Sequence, residues 1–387
     1  MDKMERRYDL DWMRVILILL VFIFHSGRAF NFFPYHVEDT VKSMGATQFQ
    51  QFLLAWMLPM IFIISGAGIW YGLGYQKAGR FIWGKVLRLL VPFVFAIFVL
   101  SPHQVYLERI NHGQFSGSFF QWFPHYFEGV YGLDGGNFTV FGLHLWYLIV
   151  LFLYSLIFLP LFMLLHSKVG RPIVKGFGSI FKIPGLIYVM GLILALPIAY
   201  INPETILGMR GFGDWNLVYY AIVLIFGFLC FADDRVQASI VRQRWVSLIV
   251  GIVLYLMYRV FHIIPKSPVL PLGSFHEVMV SWCLVMGFLG FGMKYLCGTN
   301  GFLKYSTETV LSFYILHQPV ILVIAFWVVQ LQLPVLAKYI IIAVLSFVII
   351  IGLYEVIKRI GVLRLLFGMK LRTVGYPGVP SESRTGA

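Results

Sequence analysis

Charged side chains are scarce: Asp, Glu, Lys and Arg make up 12% of the 387 residues, about half of what a soluble globular domain carries. With 59% hydrophobic residues and a mean hydropathy of +0.83, that scarcity excludes a soluble protein. Acidic groups are fewest, 17 against 30 Lys and Arg, for a formal charge of +13. The excess does not point to nucleic acid, because the cations are scattered over many short loops with no basic groove or binding motif to gather them. Only three cysteines occur, Cys230, Cys283 and Cys297. An odd number in apolar segments implies no disulfide framework, and all three are expected to pack in the core. Metal-ligand patterns are missing: no histidines at close helical spacing, no cysteine pair near a histidine, no HExxH. Serine hydrolase chemistry lacks its GxSxG elbow, since Ser65-Gly66 does not sit in one. The basic start is followed by no small-residue cleavage site, so the first apolar run is expected to be retained.

What is there is a succession of apolar runs bounded by charges or turn residues. Spans of about 20 residues account for nearly the whole chain and leave no room for a separate soluble domain. The sequence predicts an all-α polytopic membrane protein of about ten transmembrane helices, near 10–32, 48–74, 86–106, 143–166, 183–201, 215–232, 245–263, 275–296, 307–330 and 338–360. One transmembrane domain covers 1–372, and 373–387 reads as a disordered cytoplasmic tail. Lys and Arg concentrate at the N-terminus, in alternate loops and in the tail, which by the positive-inside rule puts both termini in the cytoplasm.

The first run breaks the rule that membrane helices avoid charge. Asp11, Arg14, His25 and Arg28 stand around Val15 to Phe24, and an ionisable group at bilayer depth marks a functional site unless it snorkels. Arg14 and His25 are eleven residues apart, close to three helical turns, so both point one way about 16 Å apart along the axis. Asp11 and Arg28 fall on nearly the same face. The arginines can snorkel to the headgroups; His25 is too short to do so.

Other segments hold fewer polar groups. Ser65-Gly66-Ala67-Gly68 supplies small residues for close helix packing. Lys85 and Arg88, one turn apart before the third predicted span, are either a positive-inside anchor or a clamp for a cytoplasmic anion such as coenzyme A phosphates. The long loop 107–142 is rich in aromatics, among them Trp122, Tyr126 and Tyr131. It reads either as an interfacial belt or as a surface on which sugar rings stack. His144 and Trp146 open the fourth span. His317 precedes Pro319 in mid-span, where a proline frees backbone carbonyls that neighbours must satisfy.

Taken together, Asp11-Trp12-Met13-Arg14 with His25 after ten intervening residues, Ser65-Gly66, Lys85-xx-Arg88 with Pro92, His144-Leu145-Trp146 and Tyr314-Ile315-Leu316-His317 resemble, in order, the motifs of integral-membrane acyltransferase family 3. Within it the compact form and the two histidine segments are most similar to the glucan biosynthesis protein C group, associated with O-succinylation of glucans. The resemblance implies an inner-membrane O-acyltransferase. It would move an acetyl or succinyl group from cytoplasmic acyl-coenzyme A, a substrate and not a resident cofactor, to a hydroxyl of an extracytoplasmic carbohydrate. Partners would be acyl-CoA, carbohydrate, the bilayer and a possible second copy of the chain. Arg14, Lys85 and Arg88 would bind acyl-CoA, with Lys85 standing where many members carry arginine and so lacking a bidentate grip. His25 would act as general base or acyl carrier together with Arg14, supported by Asp11, Arg28, His144, Trp146 and His317, while Trp122, Tyr126 and Tyr131 would meet the acceptor. The competing reading from the same polar stripe is a transporter or flippase for an anionic solute or lipid-linked sugar, without the paired broken segments of an inverted repeat.

Overall fold

The fold is known from a computed structural model that describes residues 6–133, 135–259, 261–263 and 271–370; the predicted tail, 373–387, lies outside them. It is all-helical, as predicted. In chain order the helices are α1 (Tyr8–Ser26), α2 (Met44–Tyr75), α3 (Ala78–Lys85), α4 (Val91–Val99), α5 (Ser101–Asn111), α6 (Phe119–Trp122), α7 (Trp146–Ile157) and α8 (Leu159–His166). They continue as α9 (Arg171–Ile180), α10 (Ile187–Tyr200), α11 (Leu217–Ala232), α12 (Asp234–Arg259), α13 (Leu272–Tyr295), α14 (Gly301–Val328), α15 (Val335–Ile357) and α16 (Gly361–Leu366).

Every predicted span falls on helix, but not all are long enough to cross a bilayer unaided. Among the described residues seven stretches are: Tyr8–Phe30, Met44–Tyr75, Ala78–Val99, Asp234–Arg259, Leu272–Tyr295, Gly301–Val328 and Val335–Ile357. The fourth predicted span is a pair of helices, α7 and α8, bent by 57°. Pro160, at the start of α8, cannot donate to the carbonyl one turn back, which ends the ladder there. The fifth and sixth, α10 and α11, are shorter apolar helices.

The third span differs most from expectation. Its helix begins at Ala78, where Phe81 is buried against Gly72, and it passes through one π-helical turn, Val86–Leu90, before α4. Lys85 and Arg88 therefore stand inside the helix and not ahead of it. A π turn widens the ladder and rotates side chains out of register, a feature concentrated at functional sites. The helix gives way at Leu100 and α5 continues against α14, where Gln104 accepts from Gln318 Nε2 at 3.2 Å.

The polar first helix is also the central one, packing on α2, α13, α14 and α15. Its start is tied down by Arg7, which donates to Tyr71 Oη at 2.6 Å and Gln237 Oε1 at 2.7 Å, on α2 and α12. Small residues set the tightest crossing, as the sequence implied. A Cβ on Gly66 would lie 2.2 Å from the Leu224 carbonyl oxygen, and one on Gly227 would lie 2.3 Å from that of Ile63, so α2 and α11 meet backbone to backbone. Cys230 and Cys283 are buried as expected. Cys297 is not: it follows the end of α13 and is exposed. The chain from Asn31 to Ser43 is held by a buried ion pair, Lys338 Nζ to Asp39 Oδ2 at 2.5 Å, which brings α15 against it.

Candidate active site

The bundle contains a cavity of about 530 Å³ into which His25, Arg28, Tyr35, His36, Glu108, Tyr131, His144, Trp146 and Tyr147 project. It gathers five of the residues singled out from sequence, His25, Arg28, Tyr131, His144 and Trp146, from three stretches of chain. Apolar walls with a few convergent polar groups are the usual make-up of a small-molecule site.

His25 closes the last turn of α1, and its Nδ1 lies 3.3 Å from the Tyr35 hydroxyl. Arg28 stands past the end of that helix, in a 3-10 turn that follows Gly27. Its Nη2 donates to the Pro34 carbonyl at 2.9 Å and its guanidinium lies 4.9 Å over the Tyr35 ring. His317 backs the site, with its ring centroid 5.0 Å from His25 and 4.9 Å from His144, so three imidazoles touch in series.

The way these rings are held follows from Pro319. A proline there has no N–H for the carbonyl four residues earlier, Ile315. His144 supplies the missing donor, Nε2 to Ile315 O at 3.3 Å, while His317 Nδ1 donates to Tyr314 O at 2.5 Å. Each carbonyl fixes a neutral tautomer, assigned from its hydrogen bond. The other nitrogens, His144 Nδ1 and His317 Nε2, are buried without a partner among the described residues.

Arg14, Lys85 and Arg88 do not line this cavity. They form a second cluster, near enough to one another for their charges to interact. Arg14 and Arg88 are exposed and Lys85 half-buried. Asp11 is shared: its nearest cation is Arg6, at 2.9 Å, with Arg14 at 3.7 Å. Lys85 sits over the Phe81 ring at 5.2 Å, and neither it nor Arg88 has a carboxylate partner among the described residues. Like charges gathered without counter-ions are what an anion site requires. Between the two clusters stands Tyr147, which lines the cavity and is within reach of Arg14's charge. Its hydroxyl is 2.5 Å from Ser65 Oγ.

Trp122 and Tyr126 do not serve as the sugar-stacking surface expected of them. Both are buried, 2% and 0% exposed, in a small separate core with Val105. The Tyr126 hydroxyl is spent on the Ile97 carbonyl at 2.7 Å. An aromatic-rich loop must bury part of its own surface to hold a shape, and these rings do that. Tyr131 does reach the cavity and donates to Glu108 Oε2 at 2.7 Å. Sequence reasoning missed Tyr35, His36 and Glu108. No local pattern joins them: His36 and Glu108 are 72 residues apart, and α5 brings them together.

A family model described as an acyltransferase domain, family 3 of the membrane acyltransferases, matches residues 7–355. The chain belongs to this family. It is a multi-pass membrane acyltransferase, and both clusters fall within the matched region. Curated relatives are similar over almost their full length. The glucans biosynthesis protein C of Salmonella typhi is 23% identical over 394 residues, covering 98% of this chain and 97% of the relative. Its counterpart in Salmonella heidelberg strain SL476 is also 23% identical, over 393 residues. No solved structure matches the chain.

Proposed function

We propose that the protein transfers an acyl group, acetyl or succinyl, from cytoplasmic acyl-coenzyme A to a hydroxyl of an extracytoplasmic carbohydrate such as a glucan, across a bacterial inner membrane. The observation that carries this reading is the separation of two unlike clusters on one helix. Unpaired cations surround Arg14, and imidazoles and aromatic rings surround His25 eleven residues on, about 16 Å along the axis. An extended pantetheine arm covers that distance.

In this scheme Arg14, Lys85 and Arg88 face the cytoplasm and hold the coenzyme's phosphates, and the thioester carbonyl comes to rest beside His25. His25 acts as general base. It takes the acceptor's hydroxyl proton as the new C–O bond forms, the C–S bond breaks, and coenzyme A leaves as the thiol with that proton. Arg28, with Nη2 already on the Pro34 carbonyl, offers its remaining N–H groups to the thioester carbonyl oxygen as negative charge develops there. His144 and His317 support the His25 ring from behind.

The test uses purified protein in lipid vesicles with acetyl- or succinyl-coenzyme A and a neutral glucan, following free thiol and ester formation. Thiol release that disappears in His25→Ala supports the reading. Movement of solute across the vesicle with no thiol released overturns it in favour of transport.

A further inference from the structure

The geometry points to a saccharide-binding subsite in the same cavity as His25, across the Tyr35 ring from it, built on His36, Glu108 and Tyr131, in which the free Nε2 of His36 accepts a hydrogen bond from a sugar hydroxyl. This rests on the acyltransferase reading above and names the residues that would seat its acceptor.

Glu108 is the anchor. Its carboxylate, 7% exposed, is held on three sides: Oε2 contacts His36 Nδ1 and takes the Tyr131 hydroxyl at 2.7 Å, and Oε1 takes Arg109 Nη1 at 3.2 Å. Burial alone would raise its pKa; the hydrogen bonds from His36 and Tyr131 and the charge of Arg109 outweigh that and hold it below the usual carboxylate value. It therefore stays ionised at neutral pH. An ionised carboxylate on one imidazole nitrogen fixes the ring's tautomer and direction, leaving the opposite nitrogen as an acceptor. For His36 that is Nε2, which has no partner among the described residues, on a side chain that lines the cavity.

A purely structural clasp would have no need to set its imidazole on the wall of a cavity shared with His25. The surroundings suit a ring that bears hydroxyls on its edge and C–H groups on its face. Tyr35, Tyr131 and Trp146 offer aromatic surfaces, and Asp214 lines the same cavity with an exposed carboxylate within reach of Arg28's charge. Arg109 braces the arrangement from outside the cavity, its Nε donating to Asn137 Oδ1 at 2.9 Å and its guanidinium 5.9 Å over the Tyr131 ring. Two distant segments of chain, at Glu108 and at Tyr131, thus converge on one imidazole.

The experiment measures steady-state acyl transfer to a neutral glucose oligosaccharide, varying oligosaccharide and acyl-coenzyme A separately. Loss of one hydrogen bond to a bound hydroxyl is worth about tenfold in affinity. His36→Gln and Glu108→Gln are expected to raise the oligosaccharide KM about tenfold, with kcat at saturating oligosaccharide and the acyl-coenzyme A KM changed less than about threefold. Tyr131→Phe is expected to show a smaller shift in the same direction. Calorimetric binding of the oligosaccharide to the same proteins should weaken in parallel, a readout that packing alone would not move. An unchanged oligosaccharide KM in His36→Gln, or a fall in kcat with KM constant, overturns the assignment. A wild-type protein that releases no thiol from any acyl-coenzyme A fails the acyltransferase reading instead. If it then still binds the oligosaccharide and loses it in His36→Gln, the subsite stands without that reading.

Discussion

The two ends of α1 differ in how their polar groups are satisfied. Around His25 most of the polar atoms are bonded: carbonyls of α14 hold His144 and His317, Tyr35 meets His25, and Glu108 binds His36 and Tyr131. Around Arg14 three cations stand together, and the one acid paired with any of them among the described residues, Asp11, sits closer to Arg6. The first arrangement is pre-organised, which is what directing a proton requires. The second is unsatisfied, which favours capture of a polyanion. In the reading proposed above, chemistry and binding are thus kept apart along the length of α1.

The largest effect expected from breaking this division is at His25. Removal of a general base costs about 10²- to 10⁴-fold. His25→Ala should lower kcat by that order with the acyl-coenzyme A KM little altered, as initial rates of thiol release will show. At the other end Arg14→Ala and Arg88→Gln should do the reverse. A charge-assisted contact is worth about 1.5–3 kcal/mol, so the acyl-coenzyme A KM should rise about 10- to 100-fold. Equal losses in kcat from both ends would erase the comparison.

A smaller effect is expected at Pro319→Ala. The restored backbone N–H competes with His144 for the Ile315 carbonyl, freeing that ring, and kcat should fall about tenfold or less for a hydrogen bond worth ~1 kcal/mol. Circular dichroism should show the helix intact. The smallest effect concerns acid stability. The folded state holds Glu108 below its unfolded value of 4.5, so its contribution is complete above that pH and is lost as pH falls through the lowered folded value. The groups facing it are His36, Tyr131, Arg109 and, further off, Tyr35. Tm measured from pH 7 down to 3 should decline less steeply in Glu108→Gln than in the wild type.

The fold class and much of the site were legible because a membrane makes polar residues conspicuous. His25 and His317 stood out as ionisable groups at bilayer depth, and the eleven-residue step from Arg14 to His25 needs only helical geometry. Lys85 and Arg88 were found but misplaced, because Gly79, Gly84 and the flanking charges hide two turns of helix from a reading that looks for unbroken apolar runs. Trp122 and Tyr126 were misread because aromatic content alone does not say which rings face inward. His36 and Glu108 were invisible for a different reason. Their meaning lies in a contact across 72 residues, set by where α5 packs.

The hydroxyls of Ser65 and Tyr147, 2.5 Å apart between the two clusters, bear on a problem any such enzyme faces in a living cell. A standing water column from one face of the bilayer to the other would let ions drain down the electrochemical gradient on which the cell runs. With Ser65 Oγ spent on Tyr147 and on the Ile61 carbonyl, these two hydroxyls answer each other and not a file of solvent.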